Sequence, residues 1–153
     1  MVKEHVLMCT RLLAICLVSC TLASLNAFGS CMSGAMQAGR VIIQQSGVAA
    51  VNGVYRRREV SSIPAAFSKV CDENQWDSAS TWRRLADESK AWFEHDNGSY
   101  IYRNKQDGQW WIDGPDGYGV YIARDASDVP PRGGWKALQQ HASSSMPRVE
   151  YEE

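Results

Sequence analysis

Two clusters of residues in this chain are of the types that could do chemistry. In "FEHDNG" the run Glu94, His95, Asp96 sets carboxylates beside an imidazole, the combination that orients a histidine as a general base. On a strand, however, Glu94 and Asp96 fall on one side and His95 on the other. Asp96 also leads into an Asn-Gly turn, where acidic side chains bond their own backbone. The second cluster, Asp107, Asp113 and Asp116 around "DGPDG", has the look of a calcium loop. It lacks the alternating ligand spacing and the distal bidentate glutamate that close such loops, and turn chemistry accounts for each aspartate. His141 lies in a polar stretch and His5 near the N-terminus, so no second histidine is placed to complete a metal site. No G-x-S-x-G, Walker loop or H-E-x-x-H occurs. No catalytic residue, metal or cofactor is therefore expected.

The aromatic residues carry the stronger signal. All six tryptophans lie between Trp76 and Trp135, and "DGQWWIDGPDGYGVYIAR" sets two of them between Asp-Gly turns and follows with two tyrosines. Flat rings on a short-stranded scaffold can stack on sugars or clamp a peptide. Trp92, Tyr102, Trp111 and Tyr121 are the candidates for such a surface, with Trp111 and Tyr121 foremost, because either face of the sheet could be the open one. The competing reading makes the same rings core and lid.

These residues need elements to position them. "VAAVNGVYRRREV" reads as a strand from Val48 to Val60, with Asn52-Gly53 a turn or a bulge. Pro64, Phe67, Val70 and Cys71 then follow helical spacing. A second helix, "SASTWRRLADESKAW", can be capped by Asp77 or Ser78 and carries Ala79, Trp82, Leu85 and Ala86 on one stripe. On it Arg84 has an i+4 partner in Glu88. From Ala91 the period drops to two, in "AWFEH", "SYIYR", "QWWID" and "YGVYIAR", separated by turns with Asn-Gly or Asp-Gly. Alternation puts Tyr100 and Tyr102 opposite Ile101, Trp111 opposite Trp110 and Ile112, and Tyr121 opposite Val120 and Ile122. Trp135 closes one end, and "PRVEYEE" can add a last short strand. The fold class is α+β: an antiparallel meander of about five short strands curling toward a small barrel, with two short helices inserted after the first strand.

"VNGVY", "NGSYIY", "DGQWWID", "GVYIA" and "PPRGGW", in this order, resemble an uncharacterised Trp/Tyr-rich small β module of algal and other protist proteins. The resemblance covers Val48 to Tyr151, with the two helices as an insert. In that module the unit is often repeated or set beside interaction domains, which implies a binding or packing role and assigns no catalytic residue.

The N-terminus reads as an address. A polar start with Lys3 and Arg11, an apolar run from Leu12 to Leu22 and small residues up to Gly29 follow the layout of a signal peptide, residues 1–29. The run is too short and interrupted for a stable membrane span. Residues 30–47 lack acids and read as a transit-like or flexible segment, leaving 48–153 as one domain. The expected route is to a plastid through the secretory pathway, the alternative plain secretion. Cys31 and Cys71 would remain after removal of the signal and could pair. A net charge of −1 argues against nucleic acid, which requires cations to displace counterions from phosphates. The expected function is a non-enzymatic protein-interaction module or accessory subunit with a protein partner. The alternative is a glycan-binding module, with carbohydrate as ligand, and the third reading is a small enzyme of unknown class.

Overall fold

The period-two segments pair with their neighbours in chain order. The computed structural model describes residues 38–141 and 145–152. The signal peptide, Cys31 and the first part of the 30–47 segment lie outside the described residues. Within them, eight strands form one antiparallel sheet. These are β1 (Arg40–Gln44), β2 (Gly53–Arg58), β3 (Trp92–His95), β4 (Tyr100–Asn104), β5 (Gln109–Asp113), β6 (Gly119–Arg124), β7 (Lys136–Ala137) and β8 (Arg148–Glu152). The first seven run as a meander, and β8 returns to pair with β1 at the far edge, Ile43 opposite Val149.

The α+β class holds, but the count of about five strands is corrected to eight. Two of the extra strands escape the pattern for identifiable reasons. β1 lies in the acid-poor segment, where its five residues read as part of an address. Yet Val41 and Ile43 are buried and Ile42 is only partly so, the alternation of a strand with one face on a core. The sheet thus begins before Val48. β7 has two residues, too few to show a period. The first strand is also shorter than Val48 to Val60, because Ala49–Val51 forms a 3-10 turn and Asn52 bonds both backbone groups of Ser46 (3.0 and 3.1 Å). Asn52-Gly53 therefore ends the β1–β2 connection, and β2 starts at Gly53.

The sheet curls around its inner face. Val41, Tyr55, Phe93, Ile101, Trp110, Ile112, Tyr121 and Val149 meet there in one buried cluster drawn from seven strands, with Trp135 at its edge. β8 reaches the segment that follows β6: Val149 N–H donates to Arg132 O (3.4 Å), and the Tyr151 hydroxyl donates to Pro130 O.

The outer face is covered in part by two helices, α1 (Ala65–Glu73) and α2 (Ser78–Leu85). Pro64 introduces α1, and Asp77 caps α2 by accepting from Ser80 N–H at 2.8 Å. Ala66, Phe67 and Cys71 of α1 and Trp82 of α2 pack on Trp92, Tyr100 and Tyr102 of the sheet. α2 stops at Leu85, short of the expected Lys90. There the backbone changes partner: Ala86 bridges to Asn104, Lys105 N–H donates to Leu85 O, and Asp87 N–H donates to Arg103 O (both 2.8 Å). Glu88 is therefore not on the helix, and the expected i,i+4 pair with Arg84 has no helical frame.

The β5–β6 turn rests on α1 through Gly117. Its φ is +83°, and a Cβ there would lie 2.7 Å from both Ala66 O and the Val70 side chain. Gly117→Ala combines backbone strain with that clash, and chemical denaturation should show a loss above about 1 kcal/mol. A change within error would mean that the turn does not bear on the helix.

Candidate functional site

The four candidate aromatics do not make one surface. Tyr121 lies on the inner face and is fully buried. Its hydroxyl donates to Ser145 O and accepts from Ser46 Oγ (both 2.9 Å), tying β6 to the loop after β1. Trp92 and Tyr102 lie on the outer face beneath the helices and are buried there. Trp92 donates its indole N–H to Glu59 O at 2.9 Å, and Tyr102 packs on Trp82 with centroids 5.1 Å apart. Burial withdraws these three rings from any surface ligand. Trp111 alone of the four is half-exposed.

Trp111 is held in a defined pose. It pairs with Tyr102 on one side and Ile122 on the other. Its indole N–H donates to Asp107 Oδ2 at 2.9 Å, and the same aspartate accepts from Gln109 N–H at 2.9 Å. The ring lies across Gly119, where a Cβ would come within 2.8 Å of Trp111 and of Leu138. A side chain at position 119 would push the ring off the strand, so the glycine sets how flat Trp111 can lie. Trp111, Ile122 and Leu138 thus gather on the outer face of β5, β6 and the end of β7. Ile122 and Leu138 belong to neither hydrophobic cluster, and both are half-exposed. Arg124 and Lys136 flank this strip in the register and are exposed. Sequence reasoning missed Ile122 and Leu138. Strict alternation pairs Ile122 with Val120, but a register shift between Ile112 and Asp113 leaves Val120 with Tyr121 in the inner core. A glycine opening a strand opposite a Trp-Trp pair was the available signal.

The clusters of acidic residues are engaged elsewhere. Glu94 Oε2 accepts from Arg58 Nε at 2.9 Å, and Asp96 is paired with Arg56. His95 Nδ1 accepts from Asn97 N–H at 3.1 Å, which leaves the proton of the neutral ring on Nε2, and the ring packs against Tyr55. Asp116 accepts from Tyr118 N–H at 3.1 Å as a turn residue. Asp113 is buried beside Tyr100, with Oδ1 making no hydrogen bond. Among the described residues no group of three or more His, Cys, Asp or Glu is placed to hold a metal ion. No helix among them is long and apolar enough to cross a membrane. A cavity of about 340 Å³ opens beside α2, lined by Val60, Ile63, Ala79, Trp82, Arg83 and Glu88. Its two charged members are exposed.

No family model, curated protein or solved structure matches this chain.

Proposed function

We propose that the chain is a non-enzymatic protein-interaction module that docks through the outer strip of Trp111, Ile122 and Leu138. On this reading it serves as an accessory subunit of a plastid or secretory-pathway assembly, delivered there by its N-terminal address. One observation carries the proposal: the division of the outer face. Helices bury the rings of β3 and β4, while the continuation of the same face across β5 and β6 keeps one oriented tryptophan and two aliphatic side chains half-exposed. A tryptophan anchor bordered by charged residues is the usual make-up of an energetic hot spot with a polar rim. Arg124 and Lys136 have no ion pair among the described residues, which suits a partner with acidic residues around its apolar contact. The resemblance to a repeated Trp/Tyr-rich module supports the same reading.

The test is gentle fractionation of the full chain and its Trp111→Ala variant, with the fold of the variant checked by circular dichroism. The wild type should migrate in a larger assembly, and the variant near the mass of the chain alone. A buried hot-spot residue costs about 2 kcal/mol or more on truncation, roughly thirtyfold in affinity. Wild-type protein that migrates alone would sink the proposal. If it also bound glycans in a Trp111-dependent way, the carbohydrate alternative would take its place.

A further inference from the structure

Asp113 is a charge-bearing residue with no evident structural reason to be one. It lies at the end of β5 on the outer face, opposite Tyr100 in β4 and Gly119 in β6, at the register shift between those strands. Only 5% of it is exposed. Its Oδ1 is buried without a hydrogen bond. Buried polar atoms are normally bonded, and an orphaned carboxylate oxygen is costly when charged and far less so when protonated.

The groups around it offer no compensating charge. From β4 it meets the buried hydroxyls of Tyr100 and Tyr102, and from the β5–β6 turn the carboxylate of Asp116. α1 contributes Cys71, which packs in the same cluster as both tyrosines. Among the described residues no lysine, arginine or histidine is paired with Asp113. Desolvation raises its carboxyl to about 7, helped by the charge of Asp116 and opposed by the Tyr100 hydroxyl.

Tyr100 links this acid to the helix. Its hydroxyl donates a long bond, 3.4 Å, to Gly117 O, in the turn that abuts Ala66 and Val70 of α1. A neutral Asp113 leaves that proton free to serve Gly117, and can itself donate to the Tyr100 oxygen. A charged Asp113 accepts only, and competes for the single proton Tyr100 has.

We propose that Asp113 is a pH-operated latch: its protonated form holds the β5–β6 turn against α1 through Tyr100, and loss of the proton releases that contact and uncovers Cys71. The latch does not depend on the docking function. The sign follows from the raised carboxyl. Its stabilising contribution is complete below the unfolded value of about 4 and is lost as pH rises through about 7.

Among the described residues Cys71 has no disulfide partner; it is 1% exposed and reports the opening directly. The full chain and its Asp113→Asn variant are labelled with a thiol reagent at pH 5.5 and at pH 8, and modification of Cys71 is followed by peptide mass spectrometry. Comparing the two proteins at the same pH cancels the intrinsic reactivity of the thiol. The wild-type to variant rate ratio should be near one at pH 5.5 and on the order of ten or more at pH 8, a tenfold ratio corresponding to one pKa unit of coupling. A ratio that is the same at both pH values would overturn the latch. Should Asp113→Asn fail to fold, hydrogen exchange of the α1 amides in the wild type decides the matter. Protection, corrected for intrinsic rates, must fall between pH 5.5 and 8, and constant protection rejects the proposal.

Discussion

Replacing Trp82 by alanine is expected to destabilise the protein by about 3–5 kcal/mol, the range for truncating a buried tryptophan. Trp82 is the large side chain by which α2 grips the sheet, and only 3% of it is exposed. Its indole meets Phe67 of α1 at 5.0 Å, Trp92 at 5.8 Å, Tyr100 at 6.2 Å and Tyr102 at 5.1 Å, mostly edge to face. Such geometries add to the area term, and removing one ring forfeits all four contacts at once. Against a total stability of about 5–15 kcal/mol the variant would be marginal. Denaturant unfolding followed by far-ultraviolet circular dichroism measures the loss. Trp76 provides the control, since it lies between the same two helices but is 55% exposed. Trp76→Ala should stay within about 0.5 kcal/mol. Equal losses at the two positions would show that the aromatic cluster does not hold the helices.

Arg103→Met should cost about 2–3 kcal/mol, less than a fully buried pair because both partners keep some contact with solvent. The guanidinium joins three separate segments. Nη1 donates to Asp87 Oδ2 at 3.1 Å beyond α2, Nη2 to Gly108 O at 3.2 Å in the β4–β5 turn, and Nε to Asp125 O at 3.2 Å after β6. Methionine keeps the aliphatic stem and leaves Asp87 partly buried without its cation. Desolvation pushes the Asp87 carboxyl up, but bonds from Ser89 and Arg103 outweigh it and hold the group below the usual carboxylate range. A depressed carboxyl contributes stability above its unfolded value of about 4 and loses it as pH falls through the folded value. The deficit of Arg103→Met should therefore be full at pH 7 and shrink below about pH 4. A deficit independent of pH would assign it to packing alone. Asp87 and Asp113 thus tilt the stability profile in opposite senses, one failing in acid and the other in base.

Much of this was legible in the chain. Asn-Gly and Asp-Gly turns between alternating segments mark the meander from β3 to β6, because those pairs tolerate the positive φ that tight hairpins need. Asp77 announces the start of α2 through its cap, and the spacing of Phe67 and Cys71 announces α1. The end of α2 was not legible, because Leu85 to Lys105 pair across twenty residues and that competition has no local sign. Nor was β1, whose five residues become a strand only by lying between β2 and β8.

The candidate site divides the same way. Alternation within single strands already separated Tyr102 from Ile101, and Trp111 from Trp110 and Ile112, since side-chain direction follows from backbone pleat alone. Which face would stay open depended on where the helices came to rest, and that is a matter of packing between distant segments. Tertiary structure alone buried Trp92 and Tyr102 under Trp82, turned Tyr121 inward, and left Trp111 on Gly119 beside Ile122 and Leu138. It also enclosed Asp113. In the sequence that residue is one more Asp-Gly turn, and only packing between distant segments removes it from water and makes its proton matter.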